Sequence, residues 1–233
     1  MKLDLLDAYY IRARLSASVI LLSPIAITAF LCFEEINAII SSSVFVFILL
    51  AFTNYIPLLQ RRFCQSKSYY VDSATQLLLP SNSIINATTK NRYYQKLSKV
   101  DDSFKLFEYP NESDEFKECC DSAVSYLKEN TRNDHHVQEE NINYGFCKNL
   151  LATKPFGILL TIFLLLVVVI FSFVRYNNLA AIPTNNYFAF FANIVMLVFW
   201  LLGINKKMLE KSAIYYAKTL LSKIDCLDIK EEP

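Results

Sequence analysis

The chain has 233 residues, 54% of them hydrophobic and 19% charged, with a formal net charge of +1. This balance leans away from the average soluble protein and toward membrane proteins. With glycine only at Gly145, Gly157 and Gly203, no Gly-rich phosphate cradle can be built.

Four stretches carry no Asp, Glu, Lys or Arg: Leu15 to Phe33, Ile36 to Gln60, Pro155 to Val174 and Tyr176 to Asn205. Each supplies the roughly 20 apolar residues of helix that a hydrocarbon core about 30 Å thick requires. They are too long and too continuously apolar for the alternating strands of a barrel. The expected fold is an all-α integral membrane protein with four transmembrane helices in two hairpins. The expected parts are an N-terminal hairpin over 1–60, a cytosolic helical domain over 61–154, a C-terminal hairpin over 155–205, and an amphipathic C-terminal helix and tail over 206–233. Bulky residues in "AFLCFEEIN" follow the first apolar run where a signal peptidase needs small ones, so that run reads as an anchor.

Basic residues flank the runs on one side: Lys2, Arg12 and Arg14; Arg61, Arg62 and Lys67; Lys148 and Lys154; Lys206, Lys207 and Lys211. The opposite connections hold only Arg175. Lys and Arg mark the cytosolic side, so both termini and the middle segment are expected there. The glycosylation patterns at Asn86 and Asn111 then go unused, and the six cysteines stay reduced. Without a C-x-x-C pair no cysteine zinc site is expected; Cys119 and Cys120 read as one core residue and its exposed neighbour.

Within the middle segment a short helix is expected over Ala74 to Leu79, ended by Pro80. A second, capped by Asn86, carries Tyr93, Tyr94 and Leu97. A third, capped by Ser113 with acids in its first turn, presents Phe116, Cys120, Ala123, Val124 and Leu127 on one face. From Arg61 to Lys99 seven bases face one acid; from Asp101 to Glu140 twelve acids face four bases. The basic part suits anionic head groups, and the near-cancellation over the segment argues against nucleic-acid binding. Further on, Leu209, Ala213, Tyr216, Leu220, Ile224 and Leu227 form a helical stripe expected to cover a domain core, on a helix continuing from the fourth span.

Chemistry is sparse. His135 with Glu139, and His136 with Glu140, have the one-turn spacing of two metal ligands, but no further ligand cluster accompanies them, so neither a metal nor a cofactor is expected. No G-x-S-x-G or H-E-x-x-H run occurs, so no enzyme is expected. The spans lack the intramembrane charges of coupled carriers. Their neutral polar groups, among them Ser42, Asn54 and Asn193, serve helix packing or, in an oligomer, line a water-filled path.

The polar stretch ahead of the third span reads as a coupling elbow made by Glu140, Asn141, Tyr144, Gly145, Phe146, Asn149 and Pro155. Gly145 marks a bend or close contact, Pro155 suits the first turn of the third span, and Arg12 or Arg14 are candidate interface partners. Glu140, Asn141, Tyr144, Gly145, Phe146, Asn149, Leu150, Lys154 and Pro155 together resemble a block of uncharacterised bacterial multi-span membrane proteins. Cys147 departs from that block, where a basic residue is expected. The overall plan is similar to membrane effectors of bacterial anti-phage systems, including those encoded beside retron reverse transcriptases. The resemblance implies an effector that self-associates and permeabilises or depolarises the membrane on a cytosolic signal. The alternative is a non-conducting anchor that recruits a soluble protein partner.

Overall fold

The computed structural model describes residues 8–32, 43–64, 74–176 and 179–227. Their only regular secondary structure is helix, and no strand occurs among them. In chain order, a π turn over Tyr10–Leu15 leads into α1 (Ser16–Cys32), followed by α2 (Ser43–Cys64), α3 (Ala74–Leu78) and α4 (Ala87–Leu97). After a 3-10 helix over Asp102–Glu108 come α5 (Asp114–Asn130), α6 (His135–Arg175) and α7 (Thr184–Val198). A second π turn, Phe199–Gly203, ends α7; α8 (Lys206–Ser222) and a 3-10 helix over Lys223–Cys226 are the last described elements.

Among the described residues three helices are long and apolar enough to cross a membrane: Tyr10–Cys32, His135–Arg175 and Thr184–Gly203, with 23, 41 and 20 residues. The helix α2 has 22 residues; the first part of its apolar stretch, Ile36 to Ser42, lies outside the described residues. The chain divides into two units, Met1–Tyr69 with Gly145–Met208, and Tyr70–Tyr144 with Leu209–Pro233.

In the first unit α1 packs against α7 and α2. The buried side of α7 is Asn186, Ala189 and Asn193, continued by Trp200, all 4% exposed or less; their successive spacings of three, four and seven residues keep them on one helical face. Opposite faces carry large exposed apolar side chains, including Phe163, Ile170, Phe173, Phe188 and Phe191. In water such a surface is an anomaly; in hydrocarbon it is ordinary.

The second unit has its own core. Tyr94 stacks on Phe107 with centroids 5.5 Å apart, and Phe116 meets both rings edge-on at 5.9 and 5.4 Å. Around them pack Leu77, Leu78, Leu97, Cys120, Leu127, Val137, Leu220, Leu221 and Ile224. Local signals set the helix starts: Asn86 Oδ1 accepts from Thr89 N at 2.7 Å, and Ser113 Oγ accepts from Phe116 N at 3.2 Å. Of the C-terminal stripe, Leu220 and Ile224 join this core with Tyr216 and Leu227 packed against it, and Lys223 Nζ pairs with Asp134 at 2.7 Å. Lys90 is buried; its ammonium donates to the carbonyls of Leu79 at 2.8 Å, Pro80 at 3.1 Å and Asn82, closing the end of α3. Burial pushes its pKa below the ordinary lysine value, against the opposing pull of the Glu112 carboxylate.

Three local expectations are corrected. Pro155 lies inside α6 and not in the first turn of a helix: the helix begins at His135, twenty residues earlier. The apolar boundary there is a change of surroundings and not of backbone. The C-terminal helix does not continue from the preceding span, because Ile204 turns extended (φ −93°, ψ 109°) and Asn205 Oδ1 accepts from Met208 N at 3.0 Å to start α8 afresh. Cys119 and Cys120 are both buried, where one was expected outside. Burial pushes the Cys120 thiol up to about 12, which keeps it protonated and unreactive at neutral pH.

Candidate functional site

Within the first unit, the α6 segment from Gly145 to Gly157 gathers the other apolar helices through four contacts. At one end Gly145 lies under the Tyr9 ring: a Cβ there would sit 2.5 Å from Tyr9 Oη. One turn on, the Asn149 amide donates to the Ala13 carbonyl at 2.8 Å and accepts from Gln60 Nε2 of α2. Towards the other end, Lys154 Nζ donates to the carbonyls of Leu201 at 3.1 Å and Ile204 at 2.6 Å. Last, Gly157 lies under the Trp200 indole, where any Cβ would overlap the ring.

The two halves are alike. Tyr9 immediately precedes the π turn that contains Ala13, and Trp200 lies in the π turn that contains Leu201. Both turns show the wide i→i−5 bond: Ser16 N–H to Ile11 O, and Ile204 N to Phe199 O at 3.3 Å. Widening the ladder frees a carbonyl, which needs another donor in apolar surroundings. Asn149 supplies one donor at the first turn. At the second, Lys154 satisfies two of the orphan carbonyls of a helix end and Asn205 Nδ2 a third, Leu202 O, at 3.2 Å.

A series of neutral polar pairs continues between the helices. Tyr10 Oη donates to Asn54 Oδ1 at 3.2 Å, Thr53 Oγ1 to Ser18 Oγ at 2.9 Å, Asn193 Nδ2 to Thr28 Oγ1 at 2.8 Å, and Asn186 Nδ2 to Ser172 Oγ at 2.8 Å. Along α1 Ser18 and Thr28 are ten residues apart and along α7 Asn193 and Asn186 seven, together about 25 Å of helix at 1.5 Å per residue. That approaches the roughly 30 Å of a bilayer core.

The elbow residues separate between the two units. Gly145 and Asn149 are buried in the contacts just described, and Phe146 is half-buried; Pro155 is exposed on α6. Glu140, Asn141 and Tyr144 belong to the second unit, where Tyr144 stacks on Tyr216 at 6.0 Å, Glu140 is half-buried and Asn141 is exposed. Arg12 is exposed on the first π turn, and Arg14 places its guanidinium 5.5 Å from the centre of the Tyr9 ring. Asn54 and Asn193 are in the polar series; Ser42 lies outside the described residues. His135 Nε2 lies 3.8 Å from Glu139 on an open helix face. Sequence reasoning did not single out Tyr9, Gln60, Gly157 or Trp200, and took Lys154 only as an orientation charge. The available signal was that the single Trp and two of the three glycines all lie in or beside apolar runs.

These features define a protein whose described secondary structure is all helical, with three helices among the described residues long and apolar enough to cross a membrane. Comparison with protein-family models, curated proteins and solved structures returns no match.

Proposed function

We propose that the chain is a bacterial inner-membrane effector with four membrane-spanning helices, which self-associates and permeabilises or depolarises the membrane on a cytosolic signal. In this reading α2, at 22 residues about 33 Å long, is the fourth span. Both termini and the second unit lie in the cytosol, on the side of the basic flanks. The observation that carries the reading is the series of neutral polar pairs, which extends through nearly the thickness of a hydrocarbon core. In a simple anchor such groups serve only to hold the helices together. A path for ions or water needs polar groups at every depth. Here the pairs are closed within one chain, which is the resting form; exchange of partners between copies opens it.

A second reading, the non-conducting anchor for a soluble partner, is favoured by that same closure and by the apolar exposed faces. A membrane-potential dye during high-level expression separates the two. The effector reading expects depolarisation, abolished when Thr53→Val, Thr28→Val and Asn193→Leu are combined, with membrane insertion retained. Cells that stay polarised while a soluble protein copurifies in equal amount overturn it in favour of the anchor.

A further inference from the structure

We propose that Asn149 and Lys154 are conformational latches: each holds a π turn of a neighbouring helix, and release of the polar contact returns the turn to α geometry and unseats the adjacent aromatic ring from its glycine. A π turn is a local excess of one residue in the ladder. It persists where tertiary contacts repay the poorer bonding. Both turns are repaid in the same way, by a side chain of α6 on a carbonyl in the turn and by an aromatic ring over an α6 glycine. The two latches differ in chemistry, one a neutral amide and one an ammonium.

The Trp200 half is the more delicately held. Its ring is fully buried, yet the indole N–H finds no acceptor, so no hydrogen bond of its own fixes it. Its seat depends on the glycine notch and on the turn that Lys154 ties down. Return to i→i−4 bonding rotates the residues within the turn, Trp200 among them, by up to about 100° against the rest of α7, the angle per residue of a 3.6-fold helix. Trp200 then leaves Gly157, and the entry to α8 reorients. The inference stands on these contacts alone and does not require permeabilising activity.

Trp200 is the only tryptophan, which makes its emission a native probe. The full chain is reconstituted in nanodiscs with and without lipids brominated on their acyl chains. In the wild type the seated indole is expected to be weakly quenched. Lys154→Met is expected to increase quenching at least threefold with helical content unchanged. Lys154→Gln, which keeps donors on a shorter stem, is expected to give an intermediate increase and supplies the reading if the methionine variant does not assemble. Gly157→Ala, whose Cβ overlaps the indole, serves as the unseated reference. Quenching as weak as the wild type in the Lys154 variants, with the Gly157→Ala reference quenched, overturns the latch.

Discussion

Gly157→Leu is expected to destabilise the first unit by about 3 kcal/mol, at the upper end of the range for overpacking a filled interior. The indole of Trp200 occupies the position a Cβ would take, and it is rigid and fully buried, so it cannot yield by a small rotation. Displacing it also disturbs the π turn whose carbonyls Lys154 holds. Gly203→Ala is the control, since it lies in the same turn but is exposed and meets only the Phe199 side chain, at 3.2 Å. Unfolding of the full chain in mixed micelles with increasing sodium dodecyl sulfate measures both. A midpoint for Gly157→Leu equal to that of the control would show that the indole is not held in the notch.

Phe116→Ala is expected to destabilise the second unit by about 4 kcal/mol, the usual range for a fully buried aromatic residue. Its ring bridges the 3-10 helix and α4 through edge contacts with Phe107 and Tyr94. Tyr94 in turn donates its hydroxyl to the Leu78 carbonyl, so the cavity lies where α3, α4 and α5 meet. Hydrogen exchange of the full chain in micelles should show amides of α4 and α5 opening about a thousandfold faster, the factor that 4 kcal/mol represents. Protection in α7 should stay as it was.

Features that depend on a few neighbouring residues were legible in the sequence. The caps at Asn86 and Ser113 are local hydrogen bonds, and the stripe Phe116, Cys120, Ala123, Val124 and Leu127 is local periodicity; all are found as read. Gly145 was legible as a point of close approach, because a glycine inside a helix needs a reason. Its partner Tyr9 was not, being more than a hundred residues away. The π turns were illegible on principle: i→i−5 bonding has no residue signature, and the donors that meet the turns, Asn149 and Lys154, come from another helix. Pro155 misled because it stands where the sequence becomes apolar, and a helix can pass through such a boundary unbroken. The polar residues of the spans were visible one by one, whereas their pairing depends on how the helices pack.

The most direct test of the account uses the two unused glycosylation patterns in the middle segment, at Asn86 and Asn111, both exposed. The chain is synthesised in the presence of microsomes, and its mass is measured in the carbonate-resistant membrane fraction. If the helices cross the bilayer with the second unit on the cytosolic side, the chain is recovered in that fraction at its unmodified mass. A glycosidase-sensitive increase that is lost in Asn111→Gln, or recovery of the chain in the soluble fraction, would contradict it.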